Sequence, residues 1–406
     1  MRGPAREAAA TAAGLFAFEV THASAKSRAR AGVMHTPHGS VPTPAFVPVG
    51  TNGVLKGVDH GRDDAATPRL MFANTLHIEL VTGCKAVERA GGLHALVGRD
   101  APIITDSGGF QVFSLSAQEG LGFAGAGDLK RKSFRYRETR SPLLLKCDDD
   151  GVTFRSYVDG AHHRLTPETA IEHQQALGSD IALPLDHLCG HFADEQTTKK
   201  SFELSHRWME RSLERHLADP KPGQALFGIC HGGVDMKRRE ESAAFLTARP
   251  FDGFAIGGSL GTGLDACEAV VAASAPVLGR VGGAPRPVHL LGIADPESLS
   301  RFAAFGVDSF DSCYATRLAR HGTLLCRGRR DGATRVKVKM TKCRDDHDPP
   351  DWDLAERLGD SRSLAFLHHI FRANEPLATT LLTRHNLAFM ARLAEDLREA
   401  ILRDEV

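Results

Sequence analysis

Short apolar segments without period-two alternation recur along the chain, each bounded by turn residues. Unbroken apolar runs of this length are typical of strands buried on both faces of a sheet. Eight such runs predict eight strands, at residues 44–49, 69–73, 103–105, 181–185, 225–230, 253–256, 288–291 and 306–310.

Helix-length segments separate these runs from the fourth strand onward, at residues 193–217, 235–247, 264–278 and 296–305. In the first of them Leu204 and Trp208 lie four residues apart and therefore on one helix face. Buried strands joined by helical crossovers indicate a parallel sheet. Eight units match a (β/α)8 TIM barrel in size, and a doubly wound open sheet is the alternative.

Two segments lie outside this repeat. Residues 116–150 begin glycine-rich and then become basic, which predicts an insertion after the third strand. The basic side chains are Lys130, Arg131, Lys132, Arg135, Arg137 and Arg140. Residues 384–403 form an amphipathic pattern, which predicts a helix packed on the outside of the barrel.

Composition limits the functional classes only loosely. The 406 residues carry a formal net charge of zero, so no global basic field indicates nucleic acid. Eight cysteines are scattered singly without a CxxC pair, which favours a reducing compartment, and no apolar stretch is long enough to span a bilayer. We expect a cytoplasmic protein. The alanine-rich residues 1–17, with Arg2 and Arg6, are interpreted as a tail, and a weak organellar transit peptide is the alternative.

The carboxyl ends of the predicted strands carry acids and glycines. In a barrel these ends meet at one mouth, where Asp106, Asp186 and Asp311 would converge. Asp308 lies inside the eighth run beside Asp311, and we expect it to cap the strand or pair with a cation. An ionised carboxylate only accepts hydrogen bonds and so suits the N–H edge of a guanine-like base. A second carboxylate can attack an anomeric carbon, and a third can move protons. The chain has no HxH or HExxH motif, which argues against a metallo-hydrolase.

A basic tract follows the eighth strand. Between Ser312 and Lys342 there are nine Lys or Arg residues and a single acid, Asp331. Arg317 and Arg320 come directly after the carboxylate of Asp311. A basic surface beside an acidic pocket favours a polyanion that carries a base, whereas a solvated charged loop is the alternative interpretation.

Several short motifs in a fixed order resemble the tRNA-guanine transglycosylase, or queuine tRNA-ribosyltransferase, family. They occupy residues 26–32, 42–51, 74–77, 105–115, 253–261, 289–292 and 306–322. The Gly-Gly-Ser-Leu-Gly variant at 257–261 and the basic insertion are closest to the chlamydial-type branch. The resemblance implies a catalytic barrel at 18–322, a helical subdomain at 323–406 that contacts tRNA, and pairing as a homodimer or with a paralogous subunit.

The same resemblance implies the chemistry of matching positions. Asp311 would be the nucleophile that expels guanine from the tRNA anticodon loop, and Asp106 the general acid/base. Glycine at 261 would leave room for the cyclopentenyl substituent of queuine, so queuine is the expected incoming free base. Further base contacts are expected from Phe110, Asp186, His231 (where the family more often has glutamine), Gly258, Leu260 and Leu291, and phosphate contacts from Arg317 and Arg320.

The resemblance fails at one place. The family holds a structural zinc with a CxCxxC cluster and a later histidine, of which only His385 is present; residues 351–358 contain no cysteine. We therefore expect no metal and no other cofactor. Either packing replaces zinc, or residues 344–360 are divergent or mis-translated. The missing ligands also keep open a non-catalytic tRNA-binding accessory subunit, and a nucleoside hydrolase-like barrel is a weaker alternative.

Overall fold

Eight parallel strands form the centre of the computed structural model, which describes residues 15–59, 67–116, 143–190, 193–327, 329 and 331–406. We call them barrel strands 1 to 8 in chain order. They are Ala45–Pro48, Met71–Ala73, Ile103–Thr105, Ile181–Ala182, Ala225–Cys230, Gly253–Ile256, Val288–Leu290 and Ser309–Ser312. All eight predicted strands are present, although the eighth, predicted at 306–310, is Ser309–Ser312.

The sheet closes on itself. Each strand pairs in parallel with its neighbours in the chain, and barrel strand 8 pairs with barrel strand 1 through Phe310 and Phe46. Barrel strands 1 and 2 meet at a single parallel bridge between Val49 and Phe72, where the Gly50 N–H donates to the Phe72 carbonyl at 2.8 Å. This closure confirms the (β/α)8 barrel and excludes the open doubly wound sheet.

Helices fill the connections between barrel strands. The four predicted helices are present as Glu195–Ala218, Met236–Thr247, Leu264–Leu278 and Pro296–Ala303. Others were not predicted: Thr75–Val81, Cys84–Arg89, Leu93–Val97, Gly109–Ser116, Pro167–Leu177 and Tyr314–Arg320. The sequence of Pro167–Leu177 shows no continuous apolar stripe, because its buried face includes Gln174. The Gln174 side-chain amide donates to the Leu183 carbonyl and accepts from the Leu183 N–H.

Small antiparallel sheets surround the barrel. The strands Ala17–Ala23, Arg30–Thr36 and Gly39–Thr43 form one before barrel strand 1. A second antiparallel sheet follows barrel strand 3 and consists of Leu144–Asp148, Gly151–Arg155 and His162–Leu165. The sheet therefore extends to residue 165, beyond the predicted end of the insertion at residue 150. The basic residues predicted between 130 and 140 lie outside the described residues, as do 1–14 of the predicted tail. Two short pairs complete the strands: Arg280–Val281 with Ala284–Pro285, and Thr323–Leu325 with Arg335–Lys337.

The carboxyl-terminal part is helical and packs on the barrel. It contains a 3-10 turn at Thr341–Asp345 and helices at Trp352–Leu358, Leu364–Arg372 and Pro376–Leu402. The last includes the predicted amphipathic helix and begins earlier, at a proline that the first turn of a helix tolerates. Leu387, Met390, Leu397 and Ile401 join the barrel core. Within the described ranges, no helix combines the length and apolarity needed to cross a membrane.

Candidate active site

The carboxyl ends of barrel strands 3 to 6 are joined by a series of contacts that includes three of the predicted site residues, Asp186, His231 and Gly258. A Cβ added to Gly109, after barrel strand 3, would lie 3.2 Å from the carbonyl oxygen of Asp186, after barrel strand 4. Asp186 Oδ2 is 2.9 Å from Nε2 of His231, which follows barrel strand 5. The His231 ring lies against Gly258, after barrel strand 6. The loops after barrel strands 3, 4, 5 and 6 are therefore adjacent at this end of the barrel.

Asp106 is buried at the end of barrel strand 3 and is densely hydrogen-bonded. Its Oδ2 accepts from Asn74 Nδ2 at 2.7 Å and from Gln111 Nε2 at 2.6 Å, and its Oδ1 accepts from the Thr75 N–H at 2.8 Å. Burial raises the pKa of the Asp106 carboxyl, and these donors, with the Gly108 N–H, act in the opposite direction. A carboxyl under such opposed influences is suited to proton transfer.

Phe110 presents an aromatic ring beside this carboxyl group. Half of its surface is exposed, which is unusual for a large apolar side chain at the mouth of a packed barrel. It lies in the first turn of Gly109–Ser116, after Gly108 has turned the chain with φ +86°. An exposed ring next to a buried acid provides a platform for a planar ligand.

His231 and Asp186 form a buried pair with incomplete hydrogen bonding. Both side chains are about nine-tenths or more buried. Nε2 of His231 is close to the carboxylate, yet it makes no acceptable hydrogen bond with any described residue, so the angle at that contact is unfavourable. A buried ring nitrogen without a hydrogen-bond partner costs free energy unless a ligand supplies the missing hydrogen bond.

The glycine loop after barrel strand 6 has a backbone that only glycine accommodates easily. Gly258 has φ +73° and Gly261 has φ +89°. A Cβ at Gly261 would meet Ala266 Cβ at 2.6 Å and Val234 Cγ1 at 3.0 Å, so local packing requires glycine there whatever the ligand is. Leu260 is buried and Leu291 packs against the core.

Arg239 was missed by the sequence analysis. It is almost completely buried in Met236–Thr247, and its guanidinium donates to four backbone carbonyls. These belong to Cys230 at 2.7 Å, Gly233 at 2.9 Å, Gly257 at 3.0 Å and Ser259 at 3.1 Å. The loops after barrel strands 5 and 6 are therefore held by one side chain. A buried arginine aimed at two glycine-rich loops gives no periodic signal in the sequence.

Asp311 lies within barrel strand 8 and is held from one side. Its Oδ1 accepts from the Gly292 N–H at 2.9 Å and lies 3.1 Å from Nε2 of His289. Among the described residues no donor contacts Oδ2. A fixed carboxylate with one oxygen left open at a barrel mouth has the geometry of a nucleophile. His289 was another residue that the sequence analysis did not assign.

Asp308 does not belong to this mouth, although it was placed at the end of the eighth strand. The observed strand is Ser309–Ser312, so Asp308 precedes it and lies at the opposite end of the barrel. There it pairs with Arg30 and accepts from the Val288 N–H at 2.7 Å. The apolar run 306–310 was misleading because Gly306 adopts φ +93° in a turn and the ladder begins only afterwards.

Basic side chains lie just beyond Asp311. Arg320 is exposed and Arg317 half-buried in Tyr314–Arg320. The guanidinium of Arg335 lies 5.7 Å from the Tyr314 ring centroid, which places the hairpin strand Arg335–Lys337 against this helix. Arginines from two adjacent elements thus face solvent near the carboxylate pocket.

The residues around His385 do not fit a structural zinc. His385 is buried and its Nε2 is 2.7 Å from the Leu325 carbonyl, so this nitrogen donates a hydrogen bond. Asp351 uses its carboxylate to accept from the N–H groups of Arg327 and Leu354. Cys343 is buried, with its thiol 3.5 Å from the Lys337 carbonyl. A four-ligand site cannot be assembled from these groups.

Two other groups of potential ligands occur in the described part of the chain. In the first, Asp180 is bound by His38 and His94, whose rings stack at 3.5 Å between centroids. In the second, Glu79 accepts from the Cys84 N–H and His173 lies nearby. Parallel stacked imidazoles do not direct their lone pairs at a common ion.

A closed parallel barrel with two buried carboxylates, a histidine–aspartate pair and an exposed aromatic ring at its mouth defines an enzyme that acts on a planar base. The family model described as "Queuine tRNA-ribosyltransferase" matches residues 24–406. Proteins named queuine tRNA-ribosyltransferase from Protochlamydia amoebophila and Chlamydia pneumoniae are each 42% identical to this chain over 389 and 392 residues. The alignments cover 96% of this chain and 96% and 99% of those proteins. The chain belongs to the queuine tRNA-ribosyltransferase family, and the predicted chlamydial resemblance is confirmed.

Proposed function

We propose that this protein is a tRNA-guanine transglycosylase that exchanges the wobble guanine of tRNAs with GUN anticodons for queuine. The observation that carries the proposal is the Asp311 carboxylate, whose Oδ1 is held by Gly292 and His289 while its Oδ2 has no donor among the described residues. The names of the chlamydial relatives, at about 42% identity over almost the whole chain, support tRNA and queuine as substrates.

The first displacement makes a covalent tRNA intermediate. Oδ2 of Asp311 attacks C1′ of the wobble nucleotide, the bond from C1′ to N9 breaks, and guanine leaves with a proton from Asp106. Burial of the Asp106 carboxyl, which raises its pKa, favours the protonated form that this step needs.

The second displacement releases the enzyme. Asp106 takes the proton from N9 of the incoming base, N9 attacks C1′, and the ester bond to Asp311 breaks to regenerate its carboxylate. Two inversions at C1′ retain the glycosidic configuration, and the covalent intermediate predicts ping-pong kinetics.

The base is held between the loops of the mouth. Phe110 stacks on its face, Asp186 accepts from its amino and ring N–H groups, and Nε2 of His231 donates to its carbonyl oxygen. The lack of a hydrogen bond on His231 Nε2 supports this role, because the base would complete it. Gly258 and Leu260 offer backbone groups, and Leu291 packs beside the base.

Queuine is proposed as the incoming base because the similar proteins carry that name, and Gly261, which local packing requires, adds no side chain that would exclude a larger substituent. A substitution at Gly261 is a poor test, since its positive φ and its contact with Ala266 would disturb the loop irrespective of the base. A better test measures how fast queuine, or the aminomethyl precursor base, displaces radiolabelled guanine from tRNA. Queuine should have the higher kcat/KM, and a preference for the precursor would refute this part of the proposal.

Contacts outside the mouth extend the proposal to the rest of the tRNA. Arg317 and Arg320 bind phosphates of the anticodon loop, and the exposed Arg335 and Lys337 continue the basic surface. We propose that the protein acts in the cytoplasm as a dimer, either with itself or with a paralogous subunit.

Covalent trapping tests the proposal. Wild-type protein incubated with tRNA should give a tRNA–protein band on a denaturing gel, whereas Asp311→Asn should give neither band nor exchange while keeping its thermal stability. Asp219→Asn, at an exposed acid after Glu195–Ala218, is the matched control. If Asp311→Asn exchanged guanine at the wild-type rate, the assignment of Asp311 as the nucleophile would be refuted. If the wild-type protein gave neither adduct nor exchange, the alternative of a non-catalytic tRNA-binding accessory subunit would be favoured.

A further inference from the structure

We propose that His289 is a positioning residue for the nucleophile, orienting the Asp311 carboxylate and stabilising it as it leaves the glycosyl ester. This inference rests on the proposed function, because it concerns the same covalent step. It starts from a histidine in an otherwise apolar strand, Val288–Leu290, whose side chain is completely buried.

The strand register places the His289 ring between two side chains of barrel strand 8. His289 pairs directly with Ser309, and Ser309 and Asp311 are two residues apart and therefore on the same face. That spacing is about 6.6 Å along a strand. The imidazole spans it: Nδ1 is 2.8 Å from Ser309 Oγ and Nε2 is 3.1 Å from Asp311 Oδ1.

The chemistry of the two partners fixes the tautomer of the ring. A carboxylate only accepts hydrogen bonds, so Nε2 carries a proton and donates it to Asp311. Nδ1 faces the Ser309 hydroxyl group, which can donate a hydrogen bond to it. Phe72 of barrel strand 2 stacks on the ring with the centroids 6.2 Å apart, so the imidazole is held by its face as well as by both nitrogens.

This arrangement determines which oxygen of Asp311 reacts. The terminal torsion of an aspartate is broad and nearly two-fold, so a free carboxylate would sample many orientations. Two donors on Oδ1, from His289 and Gly292, fix the carboxylate and leave Oδ2 as the oxygen without a donor among the described residues. In the ester intermediate Oδ1 is the carbonyl oxygen, and both donors stabilise the negative charge that develops when the ester bond breaks.

A pair of substitutions separates positioning from packing. In His289→Asn the side-chain amide reaches the place of Nδ1 and can contact Ser309, but it offers no donor to Asp311. In His289→Gln the amide nitrogen reaches the place of Nε2 and keeps that donor. We expect kcat to fall on the order of 10²-fold in His289→Asn, by analogy with removal of one oxyanion donor, while KM for tRNA and for the base stays unchanged. His289→Gln should restore most of kcat.

Ser309→Ala provides a second variant that leaves the ring in place. Loss of the Ser309 hydroxyl leaves Nδ1 without its hydrogen-bond partner, so the ring is held less firmly against Asp311, and kcat should fall about fivefold, the effect of one ordinary hydrogen bond. Single-turnover adduct formation on a denaturing gel and thermal melting are measured for every variant, so that a folding defect is recognised directly.

The outcomes distinguish this inference from the proposed function. If the wild type forms adduct and His289→Asn exchanges guanine at the wild-type rate, or if His289→Asn and His289→Gln lose kcat equally, the positioning role is overturned and the transglycosylase remains. A rise in KM without loss of kcat also overturns it. If the wild type forms no adduct, both proposals fail.

Discussion

Arg30 and Asp308 form an ion pair with two hydrogen bonds, which joins the amino-terminal sheet to the end of the barrel opposite the mouth. Arg30 Nε donates to Oδ1 at 2.9 Å and Nη2 to Oδ2 at 2.5 Å, and the Asp308 carboxylate has no exposed surface. The guanidinium also donates to the carbonyls of Gly279 and Arg286. One side chain thus connects three segments that are far apart in sequence.

Asp308→Asn should therefore destabilise the fold without affecting the chemistry. Removing one partner leaves a mostly buried guanidinium uncompensated, which typically costs about 3–5 kcal/mol in the free energy of unfolding. Urea denaturation measures this loss, and kcat of the remaining folded protein should be unchanged because the mouth is at the other end. Glu405→Gln breaks an exposed pair with Arg403 and should have no measurable effect. A loss below about 1 kcal/mol for Asp308→Asn would contradict the structural role.

Phe110→Ala should weaken base binding. Stacking of a base on an aromatic ring contributes about 1–3 kcal/mol, so KM for the incoming base should rise roughly 5- to 150-fold. Because the ring is half exposed, the melting temperature should change little. Phe110→Tyr keeps the ring and should behave as wild type, and Val277→Ala controls for loss of an exposed apolar side chain. An unchanged KM in Phe110→Ala would rule out stacking.

Asp106→Asn should impair proton transfer while leaving tRNA binding intact. An amide cannot exchange a proton with the base, so kcat should fall about 10²–10⁴-fold, and the limb of the pH–rate profile that reports this carboxyl should disappear. Steady-state exchange between pH 5 and 9 measures both, and tRNA binding is measured separately. Retention of the wild-type profile would show that another group transfers the proton.

The stability of the barrel should depend on pH through His38. Its hydrogen bond to Asp180 raises the pKa of His38, with Asp100 acting in the same direction. Burial would raise the pKa of Asp180, but the hydrogen bonds from His38 and His94 outweigh it and hold that pKa below its usual range. A raised histidine pKa contributes stability that is complete below its unfolded value of about 6.5 and is lost as pH rises through the folded pKa.

Comparison of wild type with His38→Gln tests this linkage, because glutamine keeps a neutral donor but does not titrate. The advantage of the wild type in free energy of unfolding should be larger near pH 6 than near pH 9, a range in which Asp180 stays ionised. An advantage that grows with pH would give the wrong sign and refute the linkage.

Purified protein should contain substoichiometric zinc, and a chelator should leave its melting temperature unchanged. The reason is that His385 donates to the Leu325 carbonyl and Asp351 binds backbone N–H groups, so neither is preset for a metal. Elemental analysis by mass spectrometry decides the question, with His385→Ala expected to lower stability at the same zinc content. One tightly held zinc per chain would contradict this prediction.

The barrel could be predicted from sequence because its strands are buried on both faces and therefore read as unbroken apolar runs. The pattern of apolar residues did not predict an element, or gave the wrong bounds, where a polar side chain is buried or apolar residues lie outside a strand. Gln174 hides the helix Pro167–Leu177, and the apolar neighbours of Asp308 extend the apparent eighth strand backwards. The amino-terminal strand Ala17–Ala23 was not predicted because six of its seven residues are half-buried or exposed, so it has no apolar run.

The acids of the site were predictable for a different reason: strand ends in a parallel barrel share one mouth, so position alone brings Asp106, Asp186 and Asp311 together. The residues that hydrogen-bond these acids could not be predicted from the sequence. His289 acts across a strand register, and Asn74 reaches Asp106 from the preceding barrel strand. Such contacts depend on three-dimensional pairing that no local spacing encodes.

The Arg239 guanidinium has a consequence for how the pocket can change. It binds carbonyls of both the Cys230–Gly233 and the Gly257–Ser259 loops. We therefore expect a substitution that displaces one loop to displace the other through the same side chain. Altered base specificity therefore requires matched changes on both loops, and variant libraries that randomise them jointly will contain solutions that single-loop libraries lack.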